Sequence, residues 1–250
     1  MESLLVATSA AVLTAGAVTA YGAAWPRSGL FGPVISSTNS SRKLALTFDD
    51  GPNPAITPQL LELLHQYNAR ATFFVMGKFV RDCPELLRQI AAQGHAIGNH
   101  TETHPNLFWC GAQETHNQLR RCNEAIFAVT GQTPKWFRPP FGFRSPWLGG
   151  IAEKLQLSTI MWSRIPGDWR TRHSPEWLIR RMSPIAKRAR KNVQNLSASG
   201  DILCLHDGNH ACQNGDRTRT LAALKYWLPR WRDLGLKFVT IDDAIENDGD

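Results

Sequence analysis

Two carboxylates stand side by side in the stretch Leu44-Ala45-Leu46-Thr47-Phe48-Asp49-Asp50-Gly51-Pro52. Adjacent like charges repel, and their pKa values separate unless a cation lies between them. Fifty residues after Asp50 comes His100-Thr101-Glu102-Thr103-His104, again after an apolar run and a glycine. If that segment is helical, histidines four apart point the same way, as metal ligands must. A bare pair of this kind is more often surface decoration; the carboxylate pair elsewhere in the chain is what gives it weight. Two histidines and one carboxylate, with room for water, hold catalytic zinc and also non-haem iron. A cation held this way lowers the pKa of bound water toward about 7. The expectation is that Asp50, His100 and His104 hold a metal, and that Asp49 works beside it as a base.

The elements that must position these residues alternate. Strand-like runs lie near 44–48, 71–75, 95–98, 135–138, 157–162, 201–206 and 237–241. Leu44, Leu46 and Phe48 alternate as a strand with a buried face should, and Gly51-Pro52 stops it. Helical runs fall between the strands. Thr57-Pro58 and Pro84 open two of them, Gly94 closes the second, and Ser174-Pro175-Glu176 opens another. Residues 113–129 and 218–234 carry apolar side chains at helical spacing. Strand–helix alternation implies a mostly parallel sheet. About seven strands suit a closed barrel somewhat smaller than the eight-stranded form. Asp49 and Asp50, His100 and His104, Arg138, Asp168 and His206 each fall at or just after a strand end. In a parallel barrel those ends share one face, where active sites form.

An apolar content of 42% is that of an ordinary globular domain. The net charge of +7 fits an anionic partner or plain solubility. The densest basic run, Arg180, Arg181, Lys187, Arg188, Arg190 and Lys191, reads as a solvated helix face. Without a G-x-G-x-x-G or P-loop, nucleotide binding has no support, and no nucleic-acid partner is expected. Residues 1–25 read as an apolar signal or membrane-anchor segment, although no basic residue precedes the run and it is rich in Ala and Thr. Residues 26–42, rich in Ser, Gly and Pro, read as a linker, and 43–250 as a single catalytic domain. Five cysteines include no C-x-x-C; Cys110 and Cys122 could bridge.

Three segments carry a resemblance. Thr47-Phe48-Asp49-Asp50-Gly51-Pro52, His100 through Leu107, and Phe137-Arg138-Pro139-Pro140-Phe141-Gly142 resemble, in order and spacing, the signature motifs of the polysaccharide deacetylases. This is the NodB-homology group, carbohydrate esterase family 4. The resemblance implies an α/β fold, a deformed (β/α) barrel, and metal-dependent removal of acetyl groups, usually from N-acetylglucosamine in peptidoglycan or chitin. It implies Asp49 as general base, Asp50, His100 and His104 as metal ligands, and Arg138 as the cation that orients the base. His206 resembles the general acid and Asp168 the carboxylate that tunes it. Phe141 would supply a backbone N–H to the oxyanion, and Trp169 a wall of the sugar groove, against a role in core packing. One divalent cation is implied, zinc first, with cobalt or nickel compatible with the ligands.

The departures are local. Trp162-Ser163-Arg164 lacks an acidic residue found in many relatives. Cys204 stands where a leucine usually lines the acetyl pocket, with Leu203 and Leu205 beside it; Leu205 is assigned to the substrate pocket. Glu102 either faces solvent or adds charge near the metal. His65, His95, His116, His173 and His210 match no motif and read as structural or exposed. Competing readings are an O-acetyl (xylan-type) esterase, a non-catalytic glycan-binding protein, and a metallopeptidase, which lacks its H-E-x-x-H helix. A monomer in the cell envelope, membrane-anchored or secreted, completes the expectation.

Overall fold

The protein is described by a computed structural model covering residues 2–192, 195 and 197–246. Its strands are β1 (Val34–Ile35), β2 (Ser37–Thr38), β3 (Lys43–Gly51), β4 (Thr72–Val75), β5 (Ala96–Asn99), β6 (Trp136–Phe137), β7 (Ser158–Ile160), β8 (Gly200–His206) and β9 (Lys237–Val239). Its helices are α1 (Glu2–Ala24), α2 (Thr57–Gln66), α3 (Gly77–Asp82), α4 (Pro84–Ala92), α5 (Ala112–Thr130), α6 (Leu148–Lys154), α7 (Pro175–Lys191), α8 (Thr218–Asp233) and α9 (Ile241–Ile245). All the strands join one sheet in the order β1-β7-β6-β5-β4-β3-β8-β2, with β9 also against β3. Every pairing is parallel except that of β2 with β8.

The two ends of this order are adjacent in sequence. Only Ser36 separates β1, paired with β7, from β2, paired with β8. A bridge from Arg164 to Leu203 ties the same gap, so the sheet is a nearly closed, deformed barrel. Residues 26–42 are therefore not a free linker. The edges of β7 and β8 carry backbone groups that need partners, and Val34-Ile35 and Ser37-Thr38 supply them.

α1 is helical but, among the described residues, no helix is long and apolar enough to cross a membrane. Its Ala- and Thr-rich composition explains this. Val12 and Leu13 are exposed, whereas Ala23 at its end is buried. There the Arg144 N–H donates to the Ala23 carbonyl at 3.1 Å, and the buried Arg144 guanidinium donates to the carbonyls of Trp25 and Ser28.

β3 is buried along its whole length. Leu44, Leu46 and Phe48 face outward into the layer packed with α2, α4, α7 and α8. Burying such side chains contributes roughly 1.5–3 kcal/mol each. Ala45 faces inward, with Phe74 of β4 and Ile202 of β8. Register does the rest: Ala45 pairs with Ile202, Thr47 with Cys204, and Asp49 with His206. The inner face thus changes from an apolar floor to a polar top, because side chains alternate with period two and the strands run parallel.

Candidate active site

In a regular strand Asp49 and Asp50 would point to opposite faces. Here the β3–β4 register shifts between Asp49 and Gly51, and Asp50 is left-handed, with φ of 71°. A bulge of this kind re-aims a side chain. Both carboxylates consequently line one cleft.

His100 and His104 reach the same cleft without a helix. The segment that carries them is irregular, and Thr101 and His104 are both left-handed, at φ 66° and 63°. Asn99 Oδ1 accepts from the Thr101 N–H at 2.7 Å, and Thr101 Oγ1 accepts from the His104 N–H at 3.0 Å. These bonds hold a conformation that costs of order 1–3 kcal/mol per residue. Glu102, between the histidines, is buried and ion-paired with Arg81 rather than facing solvent.

His100 Nδ1 lies 2.8 Å from the Arg138 carbonyl. A carbonyl only accepts, so Nδ1 carries the proton, and in the neutral ring Nε2 presents a lone pair. His100 Nε2 and His104 Nε2 stand 3.4 and 3.2 Å from Asp50 Oδ1, which is buried with no hydrogen-bond partner. Burial, then the charge of His100, pushes His104 down to about 2, so its ring is neutral at pH 7. Burial works against the Asp50 carboxylate, but the imidazoles facing it, His100 and His210 first, hold it well below the ordinary range. Two imidazole nitrogens and one carboxylate oxygen converge here. Their ligand atoms lie within 4.8 Å of one another, and the set fits a divalent cation.

A second group of such side chains, Asp49, Cys204 and His206, is otherwise engaged. Arg138, fully buried, donates from Nη1 to Asp49 Oδ1 at 2.8 Å and to Thr47 Oγ1 at 2.6 Å. Its Nε and Nη2 donate to the carbonyls of Ile160 and Met161. The Cys204 thiol donates to Asp49 Oδ2 at 3.4 Å; burial and the Asp49 charge push that thiol well above its ordinary value. His206 Nδ1 lies 2.9 Å from Asp168 Oδ1, while Asp168 Oδ2 accepts from the His206 N–H and from Thr220 Oγ1. Burial alone would push His206 down, but the charge and hydrogen bond of Asp168 outweigh it and raise the imidazole to about 9.

These groups meet in a cleft of about 430 Å³. Phe141 and Trp169 stand at its walls, exposed, and the Trp169 ring meets His206 edge-on at 5.2 Å. Two sequence assignments change. Leu205 is fully buried in the outer core, because on β8 it is Ile202, Cys204 and His206 that face inward; Cys204 lines the cleft instead. His210 is not an incidental histidine. It stacks on His104 at 4.4 Å and its Nδ1 lies 3.8 Å from Asp50 Oδ2. Its spacing of four from His206, on the loop after β8, was the available signal. Cys110 and Cys122 are not bridged; Cys122 faces the core and gives its thiol to the Val75 carbonyl.

A family model described as polysaccharide deacetylase matches residues 36–160, half of the chain. A peptidoglycan-N-acetylglucosamine deacetylase of Bacillus cereus is 35% identical over 209 residues, covering 83% of this chain and 90% of its own. The chain belongs to the polysaccharide deacetylase family. A chitooligosaccharide deacetylase of a Bradyrhizobium species is 34% identical over 206 residues, 80% of this chain and 89% of that protein. Among solved structures, the peptidoglycan N-acetylglucosamine deacetylase Bc1960 superposes with TM-score 0.73 at 28% identity, covering 85% of this chain and 92% of that one. A pseudoenzyme of the same family from Bacillus anthracis superposes almost as well, with TM-score 0.71 at 26% identity over 85% of this chain and 69% of that one. Membership of the polysaccharide deacetylase family therefore fixes the fold and the reaction class. Turnover has to be argued from the side chains.

Proposed function

We propose that this deacetylase removes the acetyl group from N-acetylglucosamine units of a cell-wall or chitin-like glycan, using one divalent cation held by Asp50, His100 and His104. The observation that carries the reading is Asp50 Oδ1, buried, unpartnered and faced by two imidazole nitrogens, with Asp49–Arg138 on one side and His206–Asp168 on the other. A cation bound there, zinc first by ligand type, would activate water and polarise the acetyl carbonyl.

The chain's own residues do the rest. Arg138 pairs with Asp49 through Oδ1, and Oδ2, which also accepts from the Cys204 thiol, takes the proton of the attacking water. The backbone N–H of Phe141 donates to the oxyanion as the carbonyl becomes tetrahedral. His206 is oriented through Nδ1 by Asp168, so Nε2 faces the cleft and delivers a proton to the departing amine nitrogen. Without that proton the amine is a poor leaving group. Breaking the C–N bond releases acetate and a free amino sugar. Trp169 supports the sugar through its ring face, and the small Cys204 side chain shapes the acetyl pocket.

The fold alone is shared with a pseudoenzyme, but a glycan-binding protein needs neither base, acid nor convergent ligands, all of which this chain retains. A wall polymer as substrate places the protein in the envelope or outside the cell. Acetate release from chitin oligomers and from peptidoglycan, before and after chelation with zinc or cobalt added back, tests the reading. Metal-dependent acetate is expected. Metal-loaded protein releasing acetate only from acetylated xylan would replace N-deacetylation by ester hydrolysis.

A further inference from the structure

The whole formal charge of this protein sits on one stretch. Residues 164–191 contain nine Lys and Arg against Asp168 and Glu176, a balance of +7, which equals the net charge of the entire chain. The remaining residues are formally neutral. The stretch leaves the top of β7, carries Trp169 past the active-site cleft and continues as α7.

Ordinary structural causes account for part of this charge. Arg188, Arg190 and Lys191 lie in the last turn of α7, where cations complement the helix dipole. Arg164 and Arg188 share the buried Asp201 carboxylate, at 3.3 and 2.8 Å. Neither cause covers Arg180 and Arg181. They lie in the first half of α7, where the dipole offers a cation nothing, and both are exposed. Among the described residues neither forms an ion pair. Arg181 is positioned rather than loose: its Nε donates to the Pro166 carbonyl at 3.2 Å, and its guanidinium lies over the Trp177 ring.

Arg180 and Arg181 line a second hollow of about 400 Å³, together with Arg164, Ile165 and Pro184. Ile165 also lines the active-site cleft, so the two hollows adjoin there. Trp169 stands exposed at the lip, with Arg170 against its ring. An extended chain lying across Trp169 and Ile165 would meet apolar and aromatic surface at the cleft and guanidinium groups beyond it.

We propose that this arginine-lined hollow is an extension of the substrate groove that takes the anionic substituents of an acidic glycan, one whose sugars carry carboxylate-bearing side groups, in preference to a neutral polymer. The inference rests on the deacetylase reading for the identity of the adjoining cleft. Arginine suits the role because its planar guanidinium matches carboxylate geometry. Charge arranged along one side of a groove also raises the local concentration of an oppositely charged polymer.

The test compares peptidoglycan oligomers bearing free peptide carboxylates, the same oligomers with those carboxylates amidated, and a chitin hexamer. Metal-loaded wild type, R180Q/R181Q and R180K/R181K are assayed for acetate release, and binding of labelled oligomers is measured separately. The Gln variant is expected to raise KM and Kd for the free-carboxylate oligomer about three- to tenfold at low salt, with kcat unchanged, and the Lys variant to restore most of it. Amidated oligomer and chitin hexamer should respond to neither change nor to salt. Equal loss on all three substrates, or no loss on the acidic one, overturns the proposal. So does equal competition by a single-stranded DNA oligomer, which would mark a surface for any polyanion. If wild type releases no acetate from any substrate, the deacetylase reading fails, whereas charge-dependent binding that is lost in the Gln variant still upholds the acidic-glycan groove.

Discussion

The Arg138 carbonyl lies 2.8 Å from His100 Nδ1, and the guanidinium of the same residue lies 2.8 Å from Asp49 Oδ1. One residue thus fixes both the tautomer of a metal-capable imidazole and the orientation of the neighbouring carboxylate. The metal-capable group and the Asp49 carboxylate are joined through one buried residue, by its backbone on one side and its side chain on the other.

That coupling separates two variants. Asp49→Asn keeps the shape and the Arg138 contact but abolishes proton acceptance, so kcat should fall by about 10²–10⁴ with cation content unchanged. Arg138→Met breaks a fully buried ion pair, leaves the Asp49 charge unmatched and should cost about 3–5 kcal/mol of stability as well as activity. Metal analysis and denaturant melts on the two proteins check this. An Asp49→Asn protein that retains wild-type kcat would remove Asp49 from the mechanism.

Asp50→Ala, His100→Ala or His104→Ala should each abolish stoichiometric cation binding. Because the cation binds only the folded chain, it should stabilise wild type by about 2.7 kcal/mol at a hundredfold excess over Kd. Thermal melts with chelator and with zinc would show an increment in wild type that is missing in all three variants.

The His206–Asp168 pair fixes a pH dependence. The imidazole is raised from 6.5 to about 9, so the protonated form is favoured in the folded state. Stability from the pair is fully present below pH 6.5 and is lost as pH rises through about 9. As an acid His206 works only while protonated, so activity should fall over the same alkaline range. Asp168→Asn removes the leading stabilising charge. Its alkaline limb should move to lower pH, and the loss of stability relative to wild type should be greatest below pH 6.5. A pH–rate profile and melts at pH 6 and pH 9 test both statements; an unmoved limb would assign the acid to another group.

Arg144 closes the N-terminal segment onto the domain through the carbonyls of Trp25 and Ser28. Arg144→Met leaves these carbonyls without their donor and should cost about 1–3 kcal/mol. Limited proteolysis should then cut between residues 21 and 31 at a protease concentration that spares wild type, with acetate release retained by the cut protein.

Much of this site was legible in one dimension. Asp49, Asp50, Arg138 and His206 stand at strand ends and Asp168 in the loop after β7, and strand–helix alternation alone puts strand ends on one face. The helices opened by Thr57-Pro58, Pro84 and Ser174-Pro175 begin where proline and capping residues place them. Those signals are local, so the sequence states them directly.

Other features depend on partners far along the chain. Whether Val34-Ile35 is linker or strand is settled by the open edge of β7, more than a hundred residues away. The pairing of His100 with His104 comes from two left-handed residues and an Asn99 cap, where helical spacing pointed to a helix. Leu205 and Cys204 exchange roles because the register of β8 against β3 decides which of them faces inward. His210 joins the site only because its loop folds back over His104. The sequence by itself determined the family, the metal-capable side chains and the order of strands and helices, since these follow from residue types and short-range periodicity. Tertiary structure alone decided which side chains share the cleft and where the surplus charge lies relative to it, since both depend on strand register and loop path between distant segments.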